Sequence, residues 1–305
     1  TQDELEGFYP LSMSSFTQVY KGRLNSWEVI PYFKDLTHPE HCIHTLFFHT
    51  RFSTNTAPNP MFAQPFRRMA HNGELNTDKK NRLSEDAIAR SHNNRVIFPH
   101  GQSDSARLDQ TLARRITEDE IDIVHAVLAM MPPAWENDSK LSDDVLAMLE
   151  YFSLSEEKND GPAALIFSDG IKVGARLDRL GLRPLRSIET HDYFAVMSEA
   201  GQIDFPVDDV IKRGRIEAGG MVVFDHTSGK IYESNAVLEQ LAKERDYRAL
   251  LDQACIHIEQ LPAKALSTFK HESNLSIPAR HVAYSMNQES FKFMLDPMLQ
   301  NGMEK

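Results

Sequence analysis

Two strand–turn–strand patterns constrain the fold of this chain more than any other feature. Residues 163–175 and 220–232 each contain two apolar runs separated by a short turn that holds a glycine. Short turns of this kind join neighbouring antiparallel strands. Three helical patterns precede these hairpins, at 103–116, 118–131 and 143–152. We therefore expect an α+β fold, in which helices pack beside mostly antiparallel strands.

Weaker patterns predict further strands and helices. The apolar run 43–48 is typical of a buried strand, residues 18–22 of a strand that ends in a turn, and residues 193–197 of another strand. Met69-Ala70 leads into His71-Asn72-Gly73 as a short strand and turn. From residue 236 onward the pattern is helical and charged, so we expect a connector there rather than a second sheet.

Charge and composition argue against several classes of function. The 305 residues carry a net charge of −11, and broad nucleic-acid binding needs a basic surface. No apolar stretch approaches the length of a membrane span, and the acidic first residues lack a signal-peptide pattern. The two cysteines, Cys42 and Cys255, lie far apart in the sequence, which fits a reducing compartment. We expect a cytoplasmic protein that binds neither nucleic acid nor membranes.

The run 49–77 carries the residues with the clearest chemistry. Arg51 offers a planar fork of donors that suits a carboxylate. Asn72 offers a side-chain NH₂ and Gly73 a backbone N–H that no Cβ obstructs, and two such donors can stabilise the oxyanion of an acyl transfer. Taken one at a time, an Asn-Gly pair is more often a type I′ turn, and an arginine after a strand is more often a surface charge. It is the combination that favours a site.

Asp104 lies at the predicted entrance of a helix. Either its carboxylate or the Ser103 hydroxyl could cap that helix by accepting a backbone N–H. The functional alternative is that Asp104 accepts hydrogen bonds from a ligand ammonium group. With Arg51 on a carboxylate, the two side chains would clamp the α-amino-acid end of a substrate, and Asn72 and Gly73 would face a side-chain amide.

Three motifs in this order resemble the class II glutamine amidotransferases: HTRFSTNT at 49–56, AQPFRRMAHNGELNT at 63–77 and SDSARLD at 103–109. Within that family the chain looks most like the large subunits of bacterial glutamate synthases, and the resemblance covers about the first 235 residues. The further motifs are FYPLSMSSFTQVYKG at 8–22, PPAW at 132–135, DGPAA at 160–164, LDRLGLRPLR at 177–186 and Ser198-Glu199.

The resemblance implies a role for each matching position. Arg51 would bind the α-carboxylate of glutamine, with Thr54 lining the same pocket, and Asp104 would bind the α-amino group. Asn72 and Gly73 would be the catalytic residues that stabilise the tetrahedral oxyanion. The implied fold is the N-terminal-nucleophile sandwich, with antiparallel sheets flanked by helices. Residues 1–235 would be a partial amidotransferase domain, and residues 236–305 a helical connector with the start of the next domain.

Position 1 departs from the family pattern. The family nucleophile is a cysteine at the mature N-terminus, whose own α-amino group acts as the base, whereas this chain begins with Thr1 and neither cysteine is terminal. The sequence around 8–22 resembles a region well inside the family domain. We therefore expect a fragment that lacks the nucleophile strand and is inactive alone. A second departure is Asp78-Lys79-Lys80-Asn81, where the family usually has a glycine-asparagine step.

The resemblance also implies the complete reaction. Glutamine is hydrolysed to glutamate and ammonia, the ammonia adds to 2-oxoglutarate, and a flavin reduces the product to a second glutamate. FMN and a 3Fe-4S cluster are expected in later domains of the complete subunit, and no cofactor or metal is expected in this segment. The expected partners are L-glutamine, the remaining domains of the same subunit and a small NADPH-oxidising flavoprotein subunit, although NADH or ferredoxin as donor stays open.

Three alternatives remain at this point. The chain could be a non-catalytic glutamine-binding module, or belong to another class II amidotransferase such as a sugar or phosphoribosyl enzyme. The cluster His41, Cys42, His44 and His49 could hold a metal ion. However, structural zinc needs four convergent ligands, and strand alternation would place Cys42 and His44 on the face opposite to His41. A buried thiol with hydrogen-bonded histidines is the simpler interpretation.

Overall fold

A computed structural model of the chain describes residues 10–51, 58–75, 86–91, 102–156, 158–256, 258–260 and 276–302. The chain divides into two compact units, Thr1–Cys255 and Ile256–Lys305. Eight strands are described, all in the first unit. They are β1 Met69–Gly73, β2 Ala163–Ser168, β3 Lys172–Leu177, β4 Arg186–Thr190, β5 Phe194–Met197, β6 Val210–Arg215, β7 Met221–Asp225 and β8 Lys230–Glu233.

These strands form two antiparallel sheets. The larger sheet has the order β1-β2-β3-β7-β8, and the smaller has the order β5-β4-β6. The two predicted hairpins are therefore confirmed as β2–β3 and β7–β8, since each pair is antiparallel and in continuous register. Strand β1 occupies one edge of the larger sheet and pairs only with β2 among the described strands.

The helices of the first unit follow the predicted order. They are α1 Val29–Tyr32, α2 at residues 86–91, α3 Asp104–Thr117, α4 Ile123–Met130, α5 Asp143–Ser155, α6 Ser234–Ala242 and α7 Tyr247–Ala254. Short 3₁₀ turns cover Ser26–Glu28, Lys34–Thr37 and Val207–Asp209. The second unit contains a 3₁₀ turn, Ile258–Gln260, and helix α8, Ile277–Ala283. It ends in a continuous helical stretch made of α9 Gln288–Ser290, a π-helical turn Phe291–Leu295 and α10 Asp296–Asn301.

The local sequence explains where these helices begin. Ser103 and Ser142 are the N-caps of α3 and α5, and each side-chain oxygen accepts a backbone N–H of the first turn. Helix α4 begins later than the predicted residue 118. Glu120 adopts a left-handed conformation (φ 54°), and Asp122 then caps the helix by accepting the N–H of Val124 at 2.8 Å.

Two hydrophobic clusters hold the layers together. The first lies between one face of the larger sheet and helices α3 to α7, and its members include Met69, Leu165, Phe167, Met221, Val223, Leu112, Val127, Met148, Phe152, Val237, Leu241 and Leu251. The second joins the other face of that sheet to the smaller sheet through Ala164, Ala175, Leu177, Val222, Leu185, Ile216, Phe194 and Val196. The predicted α+β fold, with antiparallel sheets flanked by helices, is confirmed.

The apolar run 43–48 is not a buried strand, so that prediction is wrong. Its backbone forms no ladder with any described strand, and the side chains of Ile43, Leu46 and Phe48 are 55%, 69% and 51% exposed. Residues 18–22 likewise form no strand. An apolar run shows that a segment favours burial, but it does not show that a partner strand lies beside it.

Helices α6 and α7, which follow residue 235, are part of the first unit. Val237, Leu238, Leu241, Tyr247 and Leu251, from α6 and α7, belong to the first hydrophobic cluster. The first compact unit accordingly extends to Cys255, while the predicted functional boundary after residue 235 stays a prediction. Among the residues that the structure describes, no helix combines the length and the apolar composition needed to cross a bilayer.

Candidate active site

Asn72 and Gly73 end the edge strand β1 and do not form a hairpin turn. They pair with Ala164 and Ala163 of β2 in unbroken antiparallel register. The alternative interpretation of this Asn-Gly step as a type I′ turn is therefore wrong. The two residues instead form the last two positions of β1, at the edge of the larger sheet.

The backbone N–H of Gly73 faces away from β2. In an antiparallel ladder, alternate residues direct both N–H and C=O to the partner strand. Arg68 accepts the N–H of Ser168 and Glu74 donates to Pro162, so the even-numbered residues bond to β2. Gly73 therefore directs its N–H to the open edge, as does His71, whose N–H donates to Gln64 Oε1 at 2.5 Å. This is the orientation that the predicted oxyanion donor requires.

Only glycine fits at position 73. Its φ of 140° is a conformation that L-residues rarely adopt. A Cβ on this residue would lie 1.8 Å from the carbonyl oxygen of Pro162, which immediately precedes the neighbouring strand β2. Gly161 shows the reciprocal approach, since a Cβ there would lie 2.3 Å from the carbonyl oxygen of Glu74. The close contact between these two backbones sets the conformation of the Asn-Gly step.

Asp104 is the first residue of α3 and is not its N-cap. The capping oxygen belongs to Ser103, which accepts the N–H of Ala106 at 3.2 Å. The next residue, Ser105, contacts β1 directly, because its Oγ lies 2.5 Å from Nε2 of His71. The half-buried Asp104 therefore lies beside a helix residue that is hydrogen-bonded to the strand carrying Asn72 and Gly73.

Arg51 is linked to the same strand through His49. The Nδ1 of His49 lies 2.8 Å from the backbone oxygen of Arg51, and the backbone of His71 also interacts with the His49 ring. The Arg51 side chain is exposed, as expected for a residue that either binds a ligand or is a surface charge. Thr54 lies outside the described residues, as do the sequence departure at 78–81 and Thr1. The structure thus brings the segments of four predicted residues to one edge: Arg51, Asn72, Gly73 and Asp104.

Both histidines at this edge favour the neutral state. Burial lowers the pKa of His71 to about 4, and the nearby charges of His49 and Arg183 act in the same direction. Burial also lowers the pKa of His49, against the effect of the carbonyl groups around its ring. Since an arginine is always charged near neutral pH, Arg51 is one cation that this edge can offer to an anion.

Sequence reasoning missed the residues that hold β1 in place. Asp109 of α3 is buried, and its carboxylate accepts the N–H groups of Arg67 and Arg68 at 3.3 and 2.7 Å. Lys21 donates to the carbonyl of Ala63 at 2.6 Å and lies over the Phe66 ring. The available signal was the SDSARLD motif itself, which places an aspartate beside Leu108 and near Leu112, on the apolar side of an amphipathic helix.

The described residues show no alternative centre built on metal ligands. Nowhere in the described ranges do three or more His, Cys, Asp or Glu side chains group in a way that could hold a metal ion. Cys42 is exposed, against the prediction of a buried thiol, and its segment forms no strand. His44 instead stacks edge-on against His226, whose Nε2 lies 2.7 Å from the hydroxyl of Thr45.

Comparison with known proteins agrees with the family that the motifs indicate. The family model of the class II glutamine amidotransferases matches residues 1–250. The chain therefore belongs to the class II glutamine amidotransferases. Its two antiparallel sheets and helix layer agree with the sandwich that this family resemblance implies.

Its relatives include glutamate synthases from fungi and bacteria. Over 97% of its length, the chain is 32% identical to the glutamate synthase [NADH] of Schizosaccharomyces pombe and covers 15% of that protein. It is 31% identical, again over 97% of its length, to the glutamate synthase [NADPH] large chain of Bacillus subtilis, of which it covers 20%. The chain thus spans a fifth or less of the length of these curated relatives.

Among solved structures, the chain is similar to the glutamine phosphoribosylpyrophosphate amidotransferase from B. subtilis complexed with ADP and GMP. The identity is 21% and the TM-score 0.32, over 59% of this chain and 34% of that one.

Proposed function

We propose that this chain is the glutamine-binding part of a glutamate synthase. The observation that carries the proposal is the convergence at the open edge of β1. There the Asn72-Gly73 step, the first turn of α3 with Asp104, and the Arg51 segment are joined through His71 and His49. The sequence relatives point to the same activity, since two of them are glutamate synthases that the chain matches over 97% of its length.

The chemistry of the site divides between the two ends of the substrate. Arg51 binds the α-carboxylate, Thr54 lines the same pocket, and Asp104 accepts hydrogen bonds from the α-ammonium group. At the other end, the side-chain NH₂ of Asn72 and the N–H of Gly73 donate to the amide oxygen. This oxygen becomes an oxyanion only when the carbonyl is attacked, so these two donors accelerate the reaction more than they tighten substrate binding.

The complete reaction extends beyond this chain. Hydrolysis of glutamine releases glutamate and ammonia, and the ammonia adds to 2-oxoglutarate. The adduct loses water to form an imine, and two-electron reduction of the imine gives a second glutamate. We place FMN, the 3Fe-4S cluster and the remaining domains of the subunit outside this segment, and we expect a small flavoprotein subunit that oxidises NADPH in the cytoplasm. The names of the two relatives above differ in the electron donor, NADH in one and NADPH in the other. NADPH is therefore the most specific element of the proposal.

Under this proposal, the chain by itself binds glutamine but does not hydrolyse it. The family resemblance assigns the nucleophile of this hydrolysis to a cysteine thiol with a base beside it. Neither cysteine of the chain belongs to the predicted site: Cys42 is exposed in the 41–48 segment, and Cys255 follows the last residue of α7. A glutaminase assay on the chain should therefore show no release of glutamate above the uncatalysed rate.

Calorimetric titration with L-glutamine tests the binding site. Arg51→Ala and Asp104→Ala each remove one charge-assisted hydrogen bond, which is worth about 1.5–3 kcal/mol, so each should weaken binding by roughly 10- to 100-fold. Asp143→Ala is the matched control, because Asp143 is also the first residue of a helix after a serine N-cap. The control should bind glutamine with the wild-type affinity.

Two results would contradict the proposal. If Asp143→Ala weakened glutamine binding as much as Asp104→Ala, the effect would come from the charge at a helix N-terminus and not from contact with the ligand. If the wild-type chain, folded by circular dichroism, bound no glutamine at millimolar concentration, the site would not be a glutamine site.

A further inference from the structure

We propose that His71 and Ser105 are a positioning pair for the glutamine site. Their hydrogen bond holds the end of β1, with Asn72 and Gly73, at a set distance from the first turn of α3, with Asp104. This inference rests on the proposed function, because the two ends of the bound substrate would be gripped by these two elements. Neither residue needs to touch the substrate to act in this way.

The contact is short and part-buried, with the imidazole on its buried side. His71 is only 5% exposed, and its Nε2 lies 2.5 Å from the Ser105 Oγ. Because bulk water does not compete for a buried hydrogen bond, such a bond constrains its partners more than a surface contact does. The two residues flank the predicted functional positions directly, since His71 precedes Asn72 and Ser105 follows Asp104.

Two described hydrogen-bonded contacts join α3 to β1 and to the residues just before it. Asp109 holds the backbone of Arg67 and Arg68, just before β1, while Ser105 holds His71 near the end of β1. The helix and the strand are therefore antiparallel where they touch, because the later helix residue contacts the earlier part of the strand segment. Leu108 and Leu112 also pack α3 into the first hydrophobic cluster, so without the Ser105 bond its first turn would move more than the rest of the helix. The His71–Ser105 bond removes this freedom at the end where Asp104 lies.

The ring also has a defined hydrogen-bonding direction. Burial keeps His71 neutral near pH 7, so one ring nitrogen carries a proton. Within the described part of the chain, Nδ1 is buried without a hydrogen-bond partner. An orphaned buried N–H is rarer than an orphaned acceptor, which places the proton on Nε2, where it is donated to Ser105 Oγ. Ser105 is then the acceptor, and its own hydroxyl proton turns toward its half-exposed side.

Four variants of the full chain test the pair by glutamine titration. Ser105→Ala removes the acceptor, and His71→Asn keeps an amide only near the Nδ1 position. Ser105→Thr retains the hydroxyl, and His71→Gln places an amide NH₂ near the Nε2 position. We expect glutamine binding to weaken roughly tenfold in the first two variants, as for the loss of about 1.4 kcal/mol, and to stay within about threefold of wild type in the last two. The control Asp144→Ala, at the second position of α5, should bind normally.

A double-mutant cycle separates positioning from general loss of stability. If the two side chains act through one bond, His71→Asn with Ser105→Ala should bind glutamine no more weakly than either single variant. Equal affinity in Ser105→Ala and wild type would overturn the proposal. So would a lowered urea midpoint in Ser105→Ala and His71→Asn with unchanged glutamine affinity, because that pattern describes a merely structural contact.

The failure of this inference can be distinguished from failure of the proposed function. Nitrogen-15 shifts of the His71 ring should show the Nε2–H tautomer in wild-type protein without any ligand. Hydrogen exchange at residues 71–75 and 103–106 should accelerate in Ser105→Ala, while α5 stays unchanged. If wild-type protein binds no glutamine but shows these two signatures, the proposed function fails and the structural link stands. An Nδ1–H tautomer, or unchanged exchange in both segments, refutes the pair itself.

Discussion

Single residues at the open edge of β1 show how backbone conformation prepares a site. Gly73 adopts a φ of 140°, and the carbonyl of Pro162 occupies the space where a Cβ would lie. The alternation of the antiparallel ladder directs the Gly73 N–H to the unpaired side of the strand. A larger residue would therefore have to move either the neighbouring strand or the donor that the proposed reaction uses.

Gly73→Ala should destabilise the first unit strongly. Backbone strain of 1–3 kcal/mol and a similar cost for the steric overlap suggest a loss of about 3 kcal/mol or more in the free energy of unfolding, measured in urea. Gly229→Ala is the matched control, because Gly229 also has a positive φ (65°) but nothing lies within 4 Å of its added Cβ. The control should lose only about 1 kcal/mol. Equal losses would show that the Pro162 contact is unimportant.

The limits of sequence reasoning are visible at these same positions. Asn72 and Gly73 could be selected as predicted donors because an Asn-Gly step beside an arginine motif is chemically suggestive. The sequence could not show that these two residues lie in an edge strand, because the same Asn-Gly pair is also typical of a type I′ turn. His71, Ser105 and Gln64 were missed because their roles depend on contacts between residues far apart in the sequence. Such contacts leave no local periodicity to detect.

Among the helices and strands, α3 contributes most to the site. Its first residue is Asp104, its second contacts β1, and its sixth, Asp109, holds the chain that enters β1. Burial raises the pKa of Asp109, although the two backbone N–H groups that it accepts favour the charged carboxylate. The cost of burying this carboxylate is thus offset by the order that it gives to β1.

Substitutions of Asp109 should separate hydrogen bonding from charge. Asp109→Ala leaves the N–H groups of Arg67 and Arg68 without this acceptor, and each orphaned group costs about 1–3 kcal/mol. Asp109→Asn keeps one side-chain oxygen and removes a charge that burial already disfavours, so it should cost about half as much. Urea unfolding of the two variants makes the comparison. A larger loss for Asp109→Asn would mean that the charge, rather than the acceptor, holds the chain at β1.

The hairpins and helices were predictable to the extent that local chemistry specified them. Gly170 and Gly229 take the positive φ values that their turns require, and Ser103 and Ser142 are the predicted kind of N-cap. Strands β4 and β6 were missed because their sequences, RSIET and VIKRGR, are polar. They belong to the smaller sheet, which presents only one face to a hydrophobic cluster. At residues 43–48 the error was the reverse, since a strand was predicted and none is present. Apolar composition does not supply a partner strand.

For the molecule as a whole, buried and half-buried histidines couple stability to pH. The pKa values of His49, His71, His125 and His226 are all lowered, with burial as the first cause in each case. Between the lowered folded pKa and the ordinary value near 6.5, the unfolded chain binds more protons than the folded chain. Stability is therefore fully retained above pH 6.5 and declines as the pH falls through this window. The raised pKa of Asp109 acts in the opposite sense above pH 3.8.

His71 should account for the largest single part of this acid sensitivity. With a folded pKa of about 4, its contribution between pH 7 and pH 5 amounts to a loss of about 2 kcal/mol in the free energy of unfolding. His71→Gln removes the titrating ring and retains a donor for Ser105. Urea unfolding of this variant at pH 7 and pH 5 should therefore show a difference smaller than that of wild type by about the same amount. The control His191→Gln replaces an exposed histidine, so it should keep the wild-type difference. If His71→Gln lost as much stability as wild type between the two pH values, His71 would not be held neutral in the folded chain.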